Sequence, residues 1–294
     1  MKRLFLAGAL LAALMVPATA VAAGPYHPTG EYAQFNDCPM STPELVFCFY
    51  SVQDKGAFTI GKKTVTVEKP QVLQGGLDKP TSSEELEGFF PFRGAEDGNT
   101  LVKTPQVVPG GLLGVTAPSW WPQILKDLFN ETINNGFTGV TATVELAAPA
   151  TAIKTNLVSL LTGSGTALQL PTKIKLNNSF LGSNCYIGSS SNPVLFKFTT
   201  GTTAPPAPNK PISGKPATPE FNPAGNLLTL SGSKLVDNSF AAPGANGCGG
   251  ILFSWAVDPL VNSIIGLPAP AGTNSAFLEG KIQIAAPSVV KASE

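Results

Sequence analysis

The chain has 294 residues, 43% of them hydrophobic and only 13% charged, with 19 basic residues against 19 acidic ones. The hydrophobic content argues against disorder, and 30 glycines with 27 prolines favour many short strands joined by turns over a helical bundle. Binding to DNA or RNA draws on Lys/Arg clusters that displace counterions from phosphate; none is present, so nucleic acid is not an expected partner.

The first residues are Lys2 and Arg3, then an apolar run from Leu4 to Val16, Pro17, and small residues through Ala23. This pattern predicts a secretory signal over residues 1–23, cut after Ala22 or Ala23. The run falls short of the roughly 20 residues a spanning helix needs, and no later segment is longer, so no transmembrane helix is expected after cleavage. No cysteine follows the run, which excludes lipid attachment there. Losing Lys2 and Arg3 from the 19 basic residues leaves 17 against 19 acidic, a net charge near −2, with Arg93 as the one arginine.

Residues 24–294 read as a single β-rich domain. Apolar and polar residues alternate in the manner of half-buried strands in "LVFCFYS" (45–51), "GAFTIG" (56–61), "KTVTVE" (63–68), "LVKTPQVV" (101–108) and "VTATVEL" (140–146). The same holds for "TKIKLN" (172–177), "PVLFKFTT" (193–200), "NLLTLSG" (226–232), "ILFSWAV" (251–257) and "EGKIQIAA" (279–286), where Trp255 is expected in the core. Gly75-Gly76, Asp97-Gly98, Pro109-Gly110-Gly111 and Gly163-Ser164-Gly165 are turn signals. The expected fold is all-β, mainly an antiparallel sandwich or barrel-like sheet, with one or two short helices.

The helices are expected in "PSWWPQILKDLFNETINNG" (118–136) and, more weakly, in "TAIKTNLVSLLTG" (151–163). The first has Ser119 as N-cap and Pro122 in the first turn, and ends near Gly136. Trp121, Ile124, Leu125, Leu128 and Phe129 share one face. Such a stripe either docks on a membrane or partner, with Trp120 and Trp121 leading, or covers one end of the sheet; the second is favoured, because an apolar stripe ordinarily faces its own core. Residues 199–225, "TTGTTAPPAPNKPISGKPATPEFNPAG", form a proline-rich strap.

Four cysteines in an exported chain are expected to pair, and three connectivities are open. Proximity favours Cys38 with Cys48, which leaves Cys185 with Cys248. The steps "NNSFLGSNC" and "DNSFAAPGANGC" bring matched segments to the second pair. The rival reading makes Cys248, set among glycines, a nucleophile; that needs a nearby base, and the one histidine, His27, stands close to the new N-terminus.

No catalytic, metal-binding or cofactor-binding residue is assigned. The single histidine speaks against a Ser-His-Asp triad and a histidine zinc site. Glu96, Asp97 and Asn99 in "GAEDGNT" lack the ligand spacing of an EF-hand and suit a hairpin turn. No nucleotide-binding glycine motif is present. Glycoside hydrolysis would require two facing carboxylates; Glu84, Glu85, Glu87, Glu145, Glu279, Asp237 and Asp258 are the available acids. Exposed aromatics suit sugar or peptide contact, and Trp120, Trp121 and the loop "GFFPFRG" with Phe89, Phe90, Phe92 and Arg93 are the expected contact residues.

Several strings together, "CPMSTPELVFCFYS" (38–51), "VLQGGL" (72–77), "TPQVVPGGLLG" (104–114), "VTATVELA" (140–147), "LGSNCYIGSSSNP" (181–193), "TTGTTAPPAPNKPISGK" (199–215) and "LVDNSFAAPGANGCGG" (235–250), resemble an uncharacterised family of secreted actinobacterial proteins. The resemblance implies an envelope or extracellular setting and brings no activity, ligand or fold. "PSWWPQILKDLFNET" departs from it and reads as an insertion, so no role of Trp120 or Trp121 carries over. The expected function is non-catalytic binding or structure in the envelope or outside the cell, with a cell-wall polymer or an envelope protein as partner. A secreted hydrolase using a carboxylate pair, or a subunit of an envelope pore or assembly, is the alternative.

Overall fold

The computed structural model describes residues 26–80, 89–114, 117–134 and 138–294. The signal segment and Glu84, Glu85 and Glu87 lie outside them.

The strands are β1 (Leu45–Ile60), β2 (Lys63–Thr66), β3 (Gln71–Asp78), β4 (Phe89–Gly94), β5 (Gln106–Val108), β6 (Val140–Leu146) and β7 (Lys154–Asn156). They continue with β8 (Leu168–Asn177), β9 (Tyr186–Ile187), β10 (Val194–Phe198), β11 (Thr218–Phe221), β12 (Leu227–Asp237), β13 (Ala245–Asn246) and β14 (Ser275–Ala285). The helices among the described residues are α1 (Gln123–Asn134), α2 (Leu157–Thr162), α3 (Gly250–Ile265) and α4 (Pro287–Lys291). The all-β antiparallel class is as expected, with more short helices than the one or two read from the sequence.

The strands form one connected antiparallel sheet in the order β11-β12-β14-β1-β3-β4-β7-β8-β6-β5, with β2, β9, β10 and β13 attached at its sides. The sheet folds over on itself at β4, which pairs with β3 through Phe92–Gly94 and with β7 through Phe89–Pro91. On the opposite side Thr199, just past β10, bridges Val236 of β12. The two halves therefore face each other as a barrel-like sandwich. Phe49, Leu77, Leu235 and Ile282 from one half meet Leu170, Ile174, Phe196 and Phe198 from the other in a continuous core. Phe196 is its aromatic centre, 4.7 Å from Phe240, 5.3 Å from Phe198 and 5.5 Å from Phe58 between ring centroids.

Two sequence readings change here. "LVFCFYS" and "GAFTIG" are a single strand, because β1 runs through the polar "QDK" with a register shift between Gln53 and Lys55 against β14. Gly75 and Gly76 lie inside β3, not at a turn. A side chain at Gly76 would meet that of Leu45, and one at Gly75 the carbonyl of Arg93, so the glycines permit close approach of neighbouring strands.

The strap is fastened along its length. Thr202 bridges Ser213, Lys215 bridges Lys234, and the Asn209 side-chain amide donates to the carbonyls of Asn238 at 2.9 Å and Asn274 at 2.7 Å. Cys38 bonds to Cys48 and Cys185 to Cys248. The first bond sits in a small second cluster with Tyr32, Phe35, Leu227 and Val290, which ties the N-terminal segment to α4. The second lies where the short strands β9 and β13 pair.

Candidate functional site

The least expected element is α3. Its sequence, "GILFSWAVDPLVNSII", is apolar nearly all round, so the helical period is hidden and the first half reads as a strand. The inward side is formed by buried Val261 and Ile265 with half-buried Ser254, Val257, Asp258, Asn262 and Ile264. Asn262 pins the helix to β13, accepting from the Ala245 N–H at 2.7 Å and donating to its carbonyl at 3.1 Å. The Asp258 carboxylate accepts from the N–H groups of Gly247 and Cys248 at 3.2 and 2.7 Å, so the one charge of the helix is spent holding the turn that precedes it. Gly266, at positive φ, closes the C-terminal end by donating to the Asn262 carbonyl.

The outward side faces solvent. Ile251 is 98% exposed, Trp255 79%, Leu252 76%, Phe253 60% and Leu260 59%, and Ala256 and Pro259 are exposed between them. Trp255 is therefore not a core residue. Its indole N–H donates to the Leu252 carbonyl at 3.2 Å within the helix, which leaves the ring free to present an apolar surface.

α1 adds to the same end of the molecule. The short 3-10 turn Gly111–Leu113 touches α1, and Gly111 and Leu112 line a small cavity together with Val261, Ile264 and Ile265 of α3. Trp120 is 79% exposed, Ile124 76%, Leu128 62% and Leu125 47%. Trp121 is half-buried, its ring edge-on to Trp120 at 6.1 Å and to Phe129 at 5.5 Å. The favoured reading, that this stripe covers the sheet, is thus overturned for Ile124, Leu125 and Leu128, which point outward. Trp120 occupies the exposed position that the contact reading gave it.

The other expected contact residues do not form an exposed loop. "FFPFRG" is strand β4; Phe92 is 1% exposed and meets Phe49 edge-on at 5.4 Å, while half-buried Phe90 meets Phe47 at 6.0 Å. Phe89 is likewise half-buried. The Arg93 Nε donates to both carboxylate oxygens of Asp78 at 2.9 Å, so its charge is used within the sheet.

The acids are dispersed. Asp237 is buried and accepts from the N–H groups of Lys197 and Ser239 at 2.7 and 2.9 Å; burial pushes its carboxyl above the ordinary range, and these bonds only partly offset that. Glu145 lies between Lys103 and Lys173 at 3.9 and 3.8 Å. Asp54 and Glu279 share an open groove of about 520 Å³ with Lys55, Lys215, Lys234 and Lys281. Glu279 is 3.8 Å from Lys234. In "GAEDGNT" the Asp97 carboxylate accepts from the Asn99 N–H at 2.8 Å, which makes the segment a tight turn. His27 is exposed, and its backbone N–H bonds to the Glu294 carboxylate; Cys248 is in a disulfide, so the thiol nucleophile reading is withdrawn. Among the described residues no helix is long and apolar enough to cross a membrane.

No protein-family model, curated protein or solved structure matches the chain.

Proposed function

We propose that this is a non-catalytic, exported binding or structural protein of the cell envelope that attaches to a lipid leaflet through the outer faces of α3 and α1. The carrying observation is the uncharged outer surface of α3 from Ile251 to Leu260. Ile251, Leu252, Phe253 and Trp255, neighbours on α3, together expose on the order of 500 Å² of apolar surface by their fractional exposures. That is already comparable to the largest apolar patch of a typical monomer, roughly 300–600 Å². The 16 residues of α3 extend about 24 Å, less than the roughly 30 Å of a hydrocarbon core, so the helix suits the interface plane and not a span. Tryptophans favour that interface. The paired cysteines fit an oxidising compartment, and the resemblance to secreted actinobacterial proteins fits the same setting.

Flotation of the purified protein with vesicles of phosphatidylethanolamine and phosphatidylglycerol tests this. Co-flotation that survives high salt supports apolar attachment. A protein that stays at the bottom of the gradient, and is dimeric by sedimentation, would assign the face to a second copy instead. Fractionation of the producing cells tests the location: release from the wall by salt or wall-degrading enzymes would move the contact to a wall polymer, and recovery only in the medium would remove the envelope role.

A second reading has one observation in its favour. The groove that holds Asp54 and Glu279 is where a carboxylate-pair hydrolase would work. Both acids lie among lysines at the surface of that groove. Hydrolysis of a wall polysaccharide that is lost in Glu279→Gln would establish that reading.

A further inference from the structure

β14 is flanked by two bulges at one level. Against β1, Gln53 faces Gly280 and Lys55 faces Glu279, so Asp54 is an extra residue. Against β12, Leu230 faces Ile282 and Ser233 faces Gly280, so Ser231 and Gly232 together oppose Lys281. Bulges bend a strand and re-aim its side chains, and they gather beside functional sites. Here they border the open groove of about 520 Å³ that holds Asp54, Lys55, Lys215, Lys234, Glu279 and Lys281. Gly232 adopts a left-handed φ of 66°, and a Cβ there would lie 3.7 Å from the Lys215 Nζ; a Cβ at Gly280 would collide with the Val52 carbonyl.

Four ammonium groups against two carboxylates give the groove a net charge of +2, in a chain whose basic and acidic residues balance at 19 each. Glu279 is 3.8 Å from Lys234, but among the described residues Lys55, Lys215 and Lys281 have no carboxylate within 4.0 Å. Lys215 of the strap pairs with Lys234 through backbone bonds of 3.0 and 2.9 Å, which sets like charges opposite each other, and such pairs destabilise a sheet. Ser233, also on the lining, is 2% exposed, and its Oγ has no hydrogen-bond partner among the described residues. A buried polar atom left without a partner costs free energy.

We propose that this groove binds a sugar phosphate, either free or as a phosphate-bearing unit of a glycan. A phosphate monoester brings about two negative charges and three strong acceptor oxygens, which answer the unpaired ammonium groups and relieve the repulsion between Lys215 and Lys234. An ammonium is a compact point charge with three donors, suited to a phosphate oxygen approaching from any side. The carboxylates give the ligand its other half: Asp54 and Glu279 would repel a bare anion but accept hydrogen bonds from sugar hydroxyls. The volume lies within the roughly 300–1,000 Å³ of small-molecule sites. The lining comes from β1, β12, β14 and the strap and includes no residue of α1 or α3, so the inference stands apart from the leaflet contact.

Calorimetric titration of the purified protein with glucose 6-phosphate, in the absence of vesicles, tests the site. Saturable binding of one molecule per chain is expected, weakening as salt is added. Glucose and inorganic phosphate, each supplying half of the ligand, should bind more weakly by about tenfold or more. Lys215→Met should weaken glucose 6-phosphate on the order of tenfold, as loss of a charge-assisted bond does. Its melting temperature without ligand should stay level or rise, because the like-charge pair is gone. Asp54→Ala should narrow the gap between glucose 6-phosphate and inorganic phosphate. Competition by a phosphomannan would support the proposal with the phosphate on a glycan, and its absence would support it with a free sugar. Trp255→Ser should bind glucose 6-phosphate like the unmodified protein even while it loses flotation, so failure of leaflet attachment and failure of the groove are read separately. No saturable heat with glucose 6-phosphate, or unchanged binding by the double variant Lys215→Met with Lys281→Met, would overturn the proposal. Inorganic phosphate binding as tightly as glucose 6-phosphate would overturn the assignment of a sugar.

Discussion

The double substitution Ile251→Ser with Trp255→Ser separates folding from attachment. Ile251 is 98% exposed and Trp255 79% exposed, so removing both should change folding stability by no more than about 0.5 kcal/mol, as for other surface changes. The effect on a leaflet is of another size. About four fifths of a tryptophan surface of roughly 250 Å² gives close to 5 kcal/mol for complete transfer at about 25 cal/mol per Å², and an isoleucine adds about 2 kcal/mol. Seating in the interface realises about half of this, so a loss of about 3–4 kcal/mol is expected, a few hundredfold in partition. The assay is vesicle co-sedimentation over a range of lipid concentrations, with thermal melting of the same samples. A fall in partition of less than about tenfold would refute the assignment of this face to the leaflet. A melting temperature lowered by several degrees would refute it differently, by showing that the two side chains support the fold.

Three further outcomes follow from the interior. Cys185→Ser should destabilise more than Cys38→Ser, since the bonds close sequence separations of 63 and 10 residues, worth about 4 and about 3 kcal/mol in the chain-entropy model; urea unfolding of both variants checks the order. Phe92→Ala should cost about 3–5 kcal/mol without altering vesicle partition, whereas a stable variant with weakened binding would restore the contact role first read into "GFFPFRG". Asp237 has its folded-state carboxyl raised by burial, so the native state holds the proton more tightly than the unfolded chain does. Its contribution is therefore favourable below the ordinary carboxylate range and is lost as pH rises through the raised value. The stability of the unmodified protein relative to Asp237→Asn should decline over that interval, and a difference that grows with pH would show the carboxyl to be lowered instead.

Much of the sheet is legible in the sequence because half-buried strands carry their own period. β6 coincides with "VTATVEL", and its register against β8, with Val144 opposite Ile174 and Ala142 opposite Leu176, keeps the alternation intact on the inner face. The disulfides were legible for a different reason: with Cys38 and Cys48 so near each other, one choice settles both bonds. β4 was not legible, because proline and arginine within "FFPFRG" suggest a surface loop. Pro91 is tolerated where β4 changes partner from β3 to β7, and Arg93 is tolerated because Asp78 lies on the adjoining strand. Neither partner can be inferred from local sequence.

The reading of α3 failed for a reason that itself concerns function. Periodicity identifies a helix only when one side is polar, and here the exposed side is as apolar as the buried one. A helix of that composition belongs inside a protein or against another apolar phase, yet Asn262 and Asp258 fix it at the surface of this sheet by four hydrogen bonds. Folding alone gives no reason for Ile251, Leu252, Phe253 and Trp255 on its outer face, since serine or lysine there would leave every one of those bonds in place. Where local sequence and global fold disagree without a structural gain, a functional or strained site is expected, and this expectation is what motivates the proposed leaflet contact. In this molecule the inner side of the same helix walls a small apolar space, and Lys63 on its lining donates to the carbonyls of Gly114 and Pro109.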